Sequence, residues 1–95
     1  MYAMLTSFKL GPNTSEKADQ LARQWAPVFS ALDGFKSVTF LGDASVGEYV
    51  GLTMWATKED AEAAMKNTDA QFQEQIATVA TEPPTRKLYR VGGTL

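Results

Sequence analysis

Hydrophobic and polar positions alternate from Tyr2 to Leu10, with Tyr2, Met4, Thr6, Phe8 and Leu10 on one side and Ala3, Leu5, Ser7 and Lys9 on the other. A period of two is the mark of a strand, and Gly11-Pro12 closes it. The period then changes. Ala18, Leu21, Ala22, Trp25, Phe29 and Leu32 recur at steps of three and four and form one helical stripe. Asn13 or Thr14 is placed to accept hydrogen bonds from the free N–H groups at the start of this helix, Glu16 completes a capping box with Asn13, and Gly34 is placed to end the helix. Pro27 lacks a backbone donor and clashes with the preceding turn, so a kink or break is expected near residues 23–27.

Phe35 to Leu41 reads as a second strand, Gly42 to Gly47 as a hairpin loop and Glu48 to Ala56 as a third strand, paired antiparallel to the second. Thr57 caps a second helix whose first turn carries Glu59 and Asp60, where negative charge suits the helix dipole. Ala61, Ala64 and Met65 belong to it. The cap and turn residues Asn67-Thr68-Asp69 predict a break, followed by a restart with Phe72, Ile76 and Val79 on one face. Pro83-Pro84 stops the helix, Thr85 to Val91 alternates as a fourth strand, and Gly92 to Leu95 is expected to be a loose tail.

The order β-α-β-β-α-β predicts an α+β, ferredoxin-like domain spanning 1–95: a four-stranded antiparallel sheet with both helices on one face. The third strand is apolar on both sides, with Val50, Leu52 and Met54 on one and Tyr49 and Trp55 on the other. Strands with one solvated face do not read this way. Two helices cover one face only, so the open face is predicted to meet a second copy of the chain, giving a homodimer packed sheet against sheet. Lys36 and Ser37 are the residues that argue for a solvated face instead.

Composition narrows the chemistry. The chain has 95 residues, a net charge of −2, 44% apolar residues, and neither Cys nor His. One core must therefore do everything. The acidic balance argues against nucleic acid, which needs a basic stripe to neutralise phosphates. Without Cys or His there are no Cys or His nucleophile–base pairs, no Cys/His zinc sites and no His-ligated heme. The longest apolar run, Met1 to Leu5, is far too short to span a membrane, and it lacks a basic region before it and a cleavage site after it. A soluble, cytoplasmic protein with no membrane partner is expected. The sequon Asn13-Thr14-Ser15 falls at the predicted helix start, and a role in that start is the favoured reading.

Trp55 shares a strand face with Thr53, Gly51, Tyr49 and Gly47, where two glycines beside two aromatics leave unfilled volume for a flat apolar ligand. The competing reading makes the glycines points of close packing and Trp55 plain core, its N–H bonded to backbone. Trp25, Phe29, Phe72 and Ile76 lie on the helical stripes facing this sheet. Arg86 and Arg90 share a face of the last strand and are candidates to hold a carboxylate or polarise a carbonyl, against the alternative that both are solvated. Asp43 and Glu48 flank the hairpin as a weak acidic pair. The acids of residues 58–82, which outnumber Lys58 and Lys66, read as a wet helix face and not a metal site. No phosphate-binding glycine loop is present, and Glu48 stands where an RNA-recognition module wants a base.

The element order, Trp55 closing the third strand and the helix start Thr57-Lys58-Glu59-Asp60-Ala61 resemble the antibiotic biosynthesis monooxygenase domain of the dimeric α+β barrel superfamily, from Tyr2 to Val91. The resemblance implies a homodimer whose sheets form a barrel, with a pocket between each subunit's sheet and helices. Members of that family include cofactor-independent monooxygenases of aromatic polyketides, quinol monooxygenases and heme-degrading enzymes. Trp55 matches the pocket tryptophan of the pattern. Thr6 falls where oxygenase members carry an Asn, and a hydroxyl cannot offer an amide's donor and acceptor together. Ile76 lies near the position of the heme-degraders' iron-ligating His, so heme degradation is not expected. The expected activity is oxygenation of a small aromatic phenol or quinol, with no cofactor and no metal, through a substrate site of Trp55, Thr6, Tyr49, Phe72, Trp25 and Arg86. A non-catalytic dimeric module that binds a small ligand, or a purely structural one, is the alternative.

Overall fold

Six elements appear in the computed structural model, which describes residues 1–93. They are β1 (Tyr2–Lys9), α1 (Ser15–Ser30), β2 (Phe35–Asp43), β3 (Glu48–Trp55), α2 (Lys58–Ala77) and β4 (Thr85–Arg90). Thr94 and Leu95, the end of the expected tail, lie outside the described residues. The strands form one antiparallel sheet in the order β2-β3-β1-β4. This is the ferredoxin-like arrangement the pattern predicts, and it puts the first and third strands in the middle.

Register decides which side chains meet. Thr6 stands opposite Gly51 on one side and Arg86 on the other, Met4 opposite Thr53 and Leu88, and Phe8 opposite Tyr49. These residues point toward the helices, because Met4, Tyr49 and Trp55 share one buried cluster with Leu21, Trp25 and Phe29 of α1 and Ala61, Phe72 and Ile76 of α2. The other face carries Leu5 opposite Leu52, Ala3 opposite Met54, and Leu41 opposite Val50. Neither helix covers it, and Leu41 and Tyr89 are 53% and 49% exposed.

Several local expectations are corrected. Thr14 is the N-cap of α1, but its hydroxyl accepts nothing from the helix; it donates to the Gly11 carbonyl at 2.7 Å. The Asn13–Glu16 capping box does not form, because Asn13 is in the left-handed region at φ 61°. Helix α1 runs unbroken through Pro27. Pro27 and Arg23, whose carbonyl the missing N–H leaves free, are both exposed, so water serves that carbonyl. The helix ends at Ser30, short of Leu32, and Gly34 sits three residues beyond the C-cap Ala31 at φ 78°. Helix α2 is continuous where a break was expected at 67–69. The buried Thr68 hydroxyl donates to the Ala64 carbonyl at 2.8 Å, an outlet within the helix that removes its reason to turn. Strand β2 extends two residues past Leu41, which shortens the hairpin loop, and β3 stops at Trp55. Thr57 caps α2 as predicted, its side chain accepting from Asp60 N. Lys36 is the extra residue of a bulge between Phe35 and Ser37, so its exposure says nothing of the sheet face. Among the described residues no helix is long and apolar enough to cross a membrane.

Candidate functional site

Between the sheet and the two helices lies a cavity of about 270 Å³. Its floor exists because β3 has Gly51 at the center: a Cβ there would meet only the Phe40 ring, at 3.7 Å. Thr6, Tyr49, Phe72, Trp25 and Arg86 all line it. Five of the six residues singled out from sequence thus stand around one space. The sixth does not. Trp55 is wholly buried behind the cavity, packed edge-on to Phe29 at 6.4 Å and Phe35 at 5.8 Å. Its Nε1 donates to Thr53 Oγ1 at 2.9 Å, and that hydroxyl donates in turn to the Met4 carbonyl at 3.4 Å. The cavity wall reaches Thr53 and stops there.

The two expected glycines part company as well. Gly51 opens the floor, whereas Gly47 is a point of close packing at φ 68°, its Cβ position occupied by the backbone of Gly11. Arg90 is exposed, so Arg86 is the only one of the pair at the cavity. Asp43 is used inside the hairpin, accepting from Ser45 N at 3.1 Å. Sequence reading placed Phe8 only on one side of the first strand and missed Phe40 and Asp19 on the wall. The signal for Phe40 was its position opposite Gly51, which needs the β2–β3 register.

The wall is mainly aromatic. Phe72 meets Phe8 and Trp25 edge-on, each at 5.9 Å, and Phe8 lies 5.8 Å from Tyr49. Trp25 is anchored to the second helix, its Nε1 donating to Gln75 Oε1 at 2.8 Å. Its N–H is therefore committed, and only apolar ring surface faces the space. The open side lies between α1 and the β2–β3 hairpin, where Ser15, Asp19 and Ala44 are exposed.

Three polar groups set the chemistry. Arg86 is the most constrained, with a side chain only 5% exposed. Its Nε donates to Thr6 Oγ1 at 3.2 Å and its Nη1 to the Met65 carbonyl at 3.4 Å, with Asp69 Oδ1 3.5 Å from Nη1. The guanidinium carbon stands 4.8 Å above the Phe72 ring. Nη2 is buried with no partner. Desolvation pulls the pKa of Arg86 below its ordinary value, and Asp69 pulls it back up through its charge and its hydrogen bond. The group stays a cation, as guanidinium does throughout the working range. Thr6 Oγ1 accepts from Arg86 Nε with one of its two lone pairs, and its own proton has no acceptor among the described residues. The single hydroxyl proton of Thr14 is committed to Gly11. The 3.1 Å contact between Thr14 and Tyr49 therefore has the phenol as donor, leaving Tyr49 Oη lone pairs free.

No family model matches the chain, and no curated protein is similar to it in sequence. Solved structures are similar in shape. A monooxygenase from the gene ActVA-Orf6 of Streptomyces coelicolor, determined with the ligand nanaomycin D, superposes with a TM-score of 0.79 at 18% identity, over 99% of this chain and 89% of that one. SnoaB, a cofactor-independent oxygenase from Streptomyces nogalater, gives 0.77 at 19% identity over 99% and 95%. A structure named antibiotic biosynthesis monooxygenase gives 0.75 at 12% identity over 98% and 100%. The chain has the antibiotic biosynthesis monooxygenase fold. The superpositions run over nearly all of this chain. At these identities the likeness extends to the backbone and not to the side chains of the cavity, which are this chain's own.

Proposed function

We propose that the protein is a cofactor-independent oxygenase of the antibiotic biosynthesis monooxygenase type, acting on a small aromatic phenol or quinol. The observation that carries this reading is the preformed aromatic cavity with a buried, incompletely paired Arg86 in its wall. Phe72 and Trp25 clamp the substrate ring, Thr6 and Arg86 hold the oxygen on which negative charge develops, and Tyr49 orients the far side. Trp55, which the resemblance places in the pocket, acts here from behind it, holding Thr53 and Phe29 in place. In this chemistry the substrate anion supplies the electrons to O2. On an anthrone, loss of a proton from the ring CH2 gives the anion, a C–O bond forms to O2, and the O–O bond of the resulting hydroperoxide breaks. The carbon keeps one oxygen as a carbonyl and the other leaves as water with the two hydrogens. The protein's share is to bind the anion, orient it and keep water away.

Among the described residues the only titratable groups on the cavity wall are Asp19, Tyr49 and Arg86, and Asp19 is exposed. The lack of an internal base favours a second reading, a ligand-binding module without turnover. Oxygen consumption by a panel of anthrones and naphthohydroquinones separates the two. Uptake above buffer supports the oxygenase; quenching of Trp25 fluorescence without uptake supports the binder. The same proposal assigns the open sheet face, with Leu5, Leu41, Val50, Leu52, Met54 and Tyr89, to a second copy of the chain.

A further inference from the structure

Among the described residues, Phe40 is the aromatic of the cavity wall that has no ring neighbour. Phe8, Trp25, Phe29, Tyr49 and Phe72 each pack on another ring at centroid distances of 5.6–5.9 Å. The surroundings of Phe40 leave it room on three sides. No strand lies beyond it, because β2 is an edge of the sheet. Opposite it on β3 is Gly51, and two residues along its own strand, on the same face, is Gly42. The ring rests on Gly51, its Cδ1 and Cε1 each 3.7 Å from where a Cβ of that residue would stand. In that position Phe40 is 40% exposed, at the open side of the cavity. The residues that α1 brings to the wall and leaves exposed or half-buried are Ser15, Asp19 and Ala22, all short, so a gap faces the ring.

We propose that Phe40 is the lid of the cavity: with a flat apolar ligand inside, its ring leaves Gly51 and closes over the ligand at the open side. The backbone need not move for this. Two χ1 wells are common for a side chain in a strand, and exposed side chains exchange wells within nanoseconds. On Gly51 the ring keeps one face in water, whereas over a ligand that face meets another ring, the arrangement that buries apolar surface. Tyr49 is the contrasting case. It too lies on a glycine across the β2–β3 pair, but a Cβ on Gly42 would stand 2.7 Å from its Cδ1, its phenol is bonded to Thr14, and it is 7% exposed. Tyr49 is fixed wall, and Phe40 is free to turn. The lid deepens the proposed oxygenase and rests on its reading of the cavity as a ligand pocket. Closure keeps water from a substrate anion, and it restricts the site to ligands that end inside the wall. A cavity of roughly 150 Å³ holds one benzene, so 270 Å³ admits two fused rings under a closed lid.

The test is anaerobic binding of 1-naphthol to the whole chain with its five phenylalanines replaced by 4-fluorophenylalanine, the Phe40 fluorine signal being the one lost in Phe40→Leu. Saturating naphthol should move that signal and reduce its shift between H2O and D2O, because the ring passes out of water. The signal of Phe35, which packs on Trp55 behind the cavity, should keep its solvent shift. In stopped flow followed by tryptophan fluorescence, Phe40→Ala should release naphthol about tenfold faster or more, while its association rate stays within about twofold of the wild type. Phe40→Leu should fall between them. Circular dichroism confirms that each variant is folded. A Phe40 solvent shift that naphthol leaves unchanged overturns the lid, even if release from Phe40→Ala is faster, since the ring is then fixed wall. Release from folded Phe40→Ala at the wild-type rate overturns it as well. If neither the wild type nor Phe40→Ala takes up naphthol, the lid and the pocket reading fall together. Closure without oxygen uptake on later aeration leaves the lid standing and removes the oxygenase reading, and uptake over a ring that does not close does the reverse.

Discussion

The two indoles of the molecule do different work within one aromatic cluster. Trp55 is wholly enclosed, and its N–H meets Thr53, whose hydroxyl is bonded on to the backbone of β1. Truncating it to Phe leaves a void and a Thr53 hydroxyl with one partner fewer. Trp55→Phe should cost about 1–3 kcal/mol in a urea melt while changing naphthol affinity less than twofold. A variant that keeps its stability and loses affinity would show that the indole reaches the ligand. Gly51 is the converse case. A Cβ there meets only Phe40 at ordinary contact distance, so Gly51→Val should fold normally and weaken naphthol binding at least ~tenfold by filling the cavity floor, at roughly 1.4 kcal/mol per factor of ten. Isothermal titration alongside a thermal melt reads both quantities. The role of Trp25 could not be told from that of Trp55 in the sequence, because both are aromatic at the right period. Only the Gln75 partner on α2 shows that Trp25 bridges the helices at the cavity.

The helices show local signals overruled by context. Pro27 should break a helix, and α1 continues through it because its exposed side lets water take over the freed carbonyl. The cost of that proline is still present. Pro27→Ala should stabilise the chain by ~1–3 kcal/mol, the gain of an interior hydrogen bond and loss of a clash, seen as a rise in Tm with cavity binding unchanged. Asn67-Thr68-Asp69 read as a turn for the same reason that Thr68 does not make one. The residue is buried, and its hydroxyl bonds within the helix to Ala64. Element type and order were legible throughout, since period two and period 3.6 are set by where side chains project. Ends were less so. The α1 start fell at Thr14, one of the two expected caps, but its capping bond was not legible, because the Thr14 hydroxyl turns to Gly11 and Tyr49, and the Tyr49 partner is 35 residues away in sequence.

For the whole molecule, the open face of the sheet is the largest remaining consequence of the two-sided apolar strands. Leu52 sits near its middle, opposite Leu5 and Thr39. If a second copy covers this face, sedimentation should give a dimer of the 10.4 kDa chain, and Leu52→Lys should shift it to monomer by placing a charge in the buried contact. A wild-type chain that sediments as a monomer at micromolar concentration would sink the homodimer proposal. The cavity lies on the helix side of the sheet, so a monomeric Leu52→Lys variant that still binds naphthol would show that each subunit carries a complete site.

The alternation of the strands, the helical stripes and the turn residues determined the element order, the ferredoxin-like topology and the two-faced character of β3, because each depends on neighbours a few positions away. The absence of His and Cys likewise removed whole classes of chemistry from composition alone. What only the tertiary structure decided was which of the candidate residues surround empty space and how their protons are allotted. The β1–β3 and β1–β4 registers bring Thr6, Gly51 and Arg86 to one rung from positions 80 residues apart at the extremes. The tie from Thr14 to Tyr49, the partnerless Arg86 Nη2 and the enclosure of Trp55 follow from that assembly. A hydrogen bond's direction depends on every other bond its atoms make, and those partners come from segments that only the folded chain brings together.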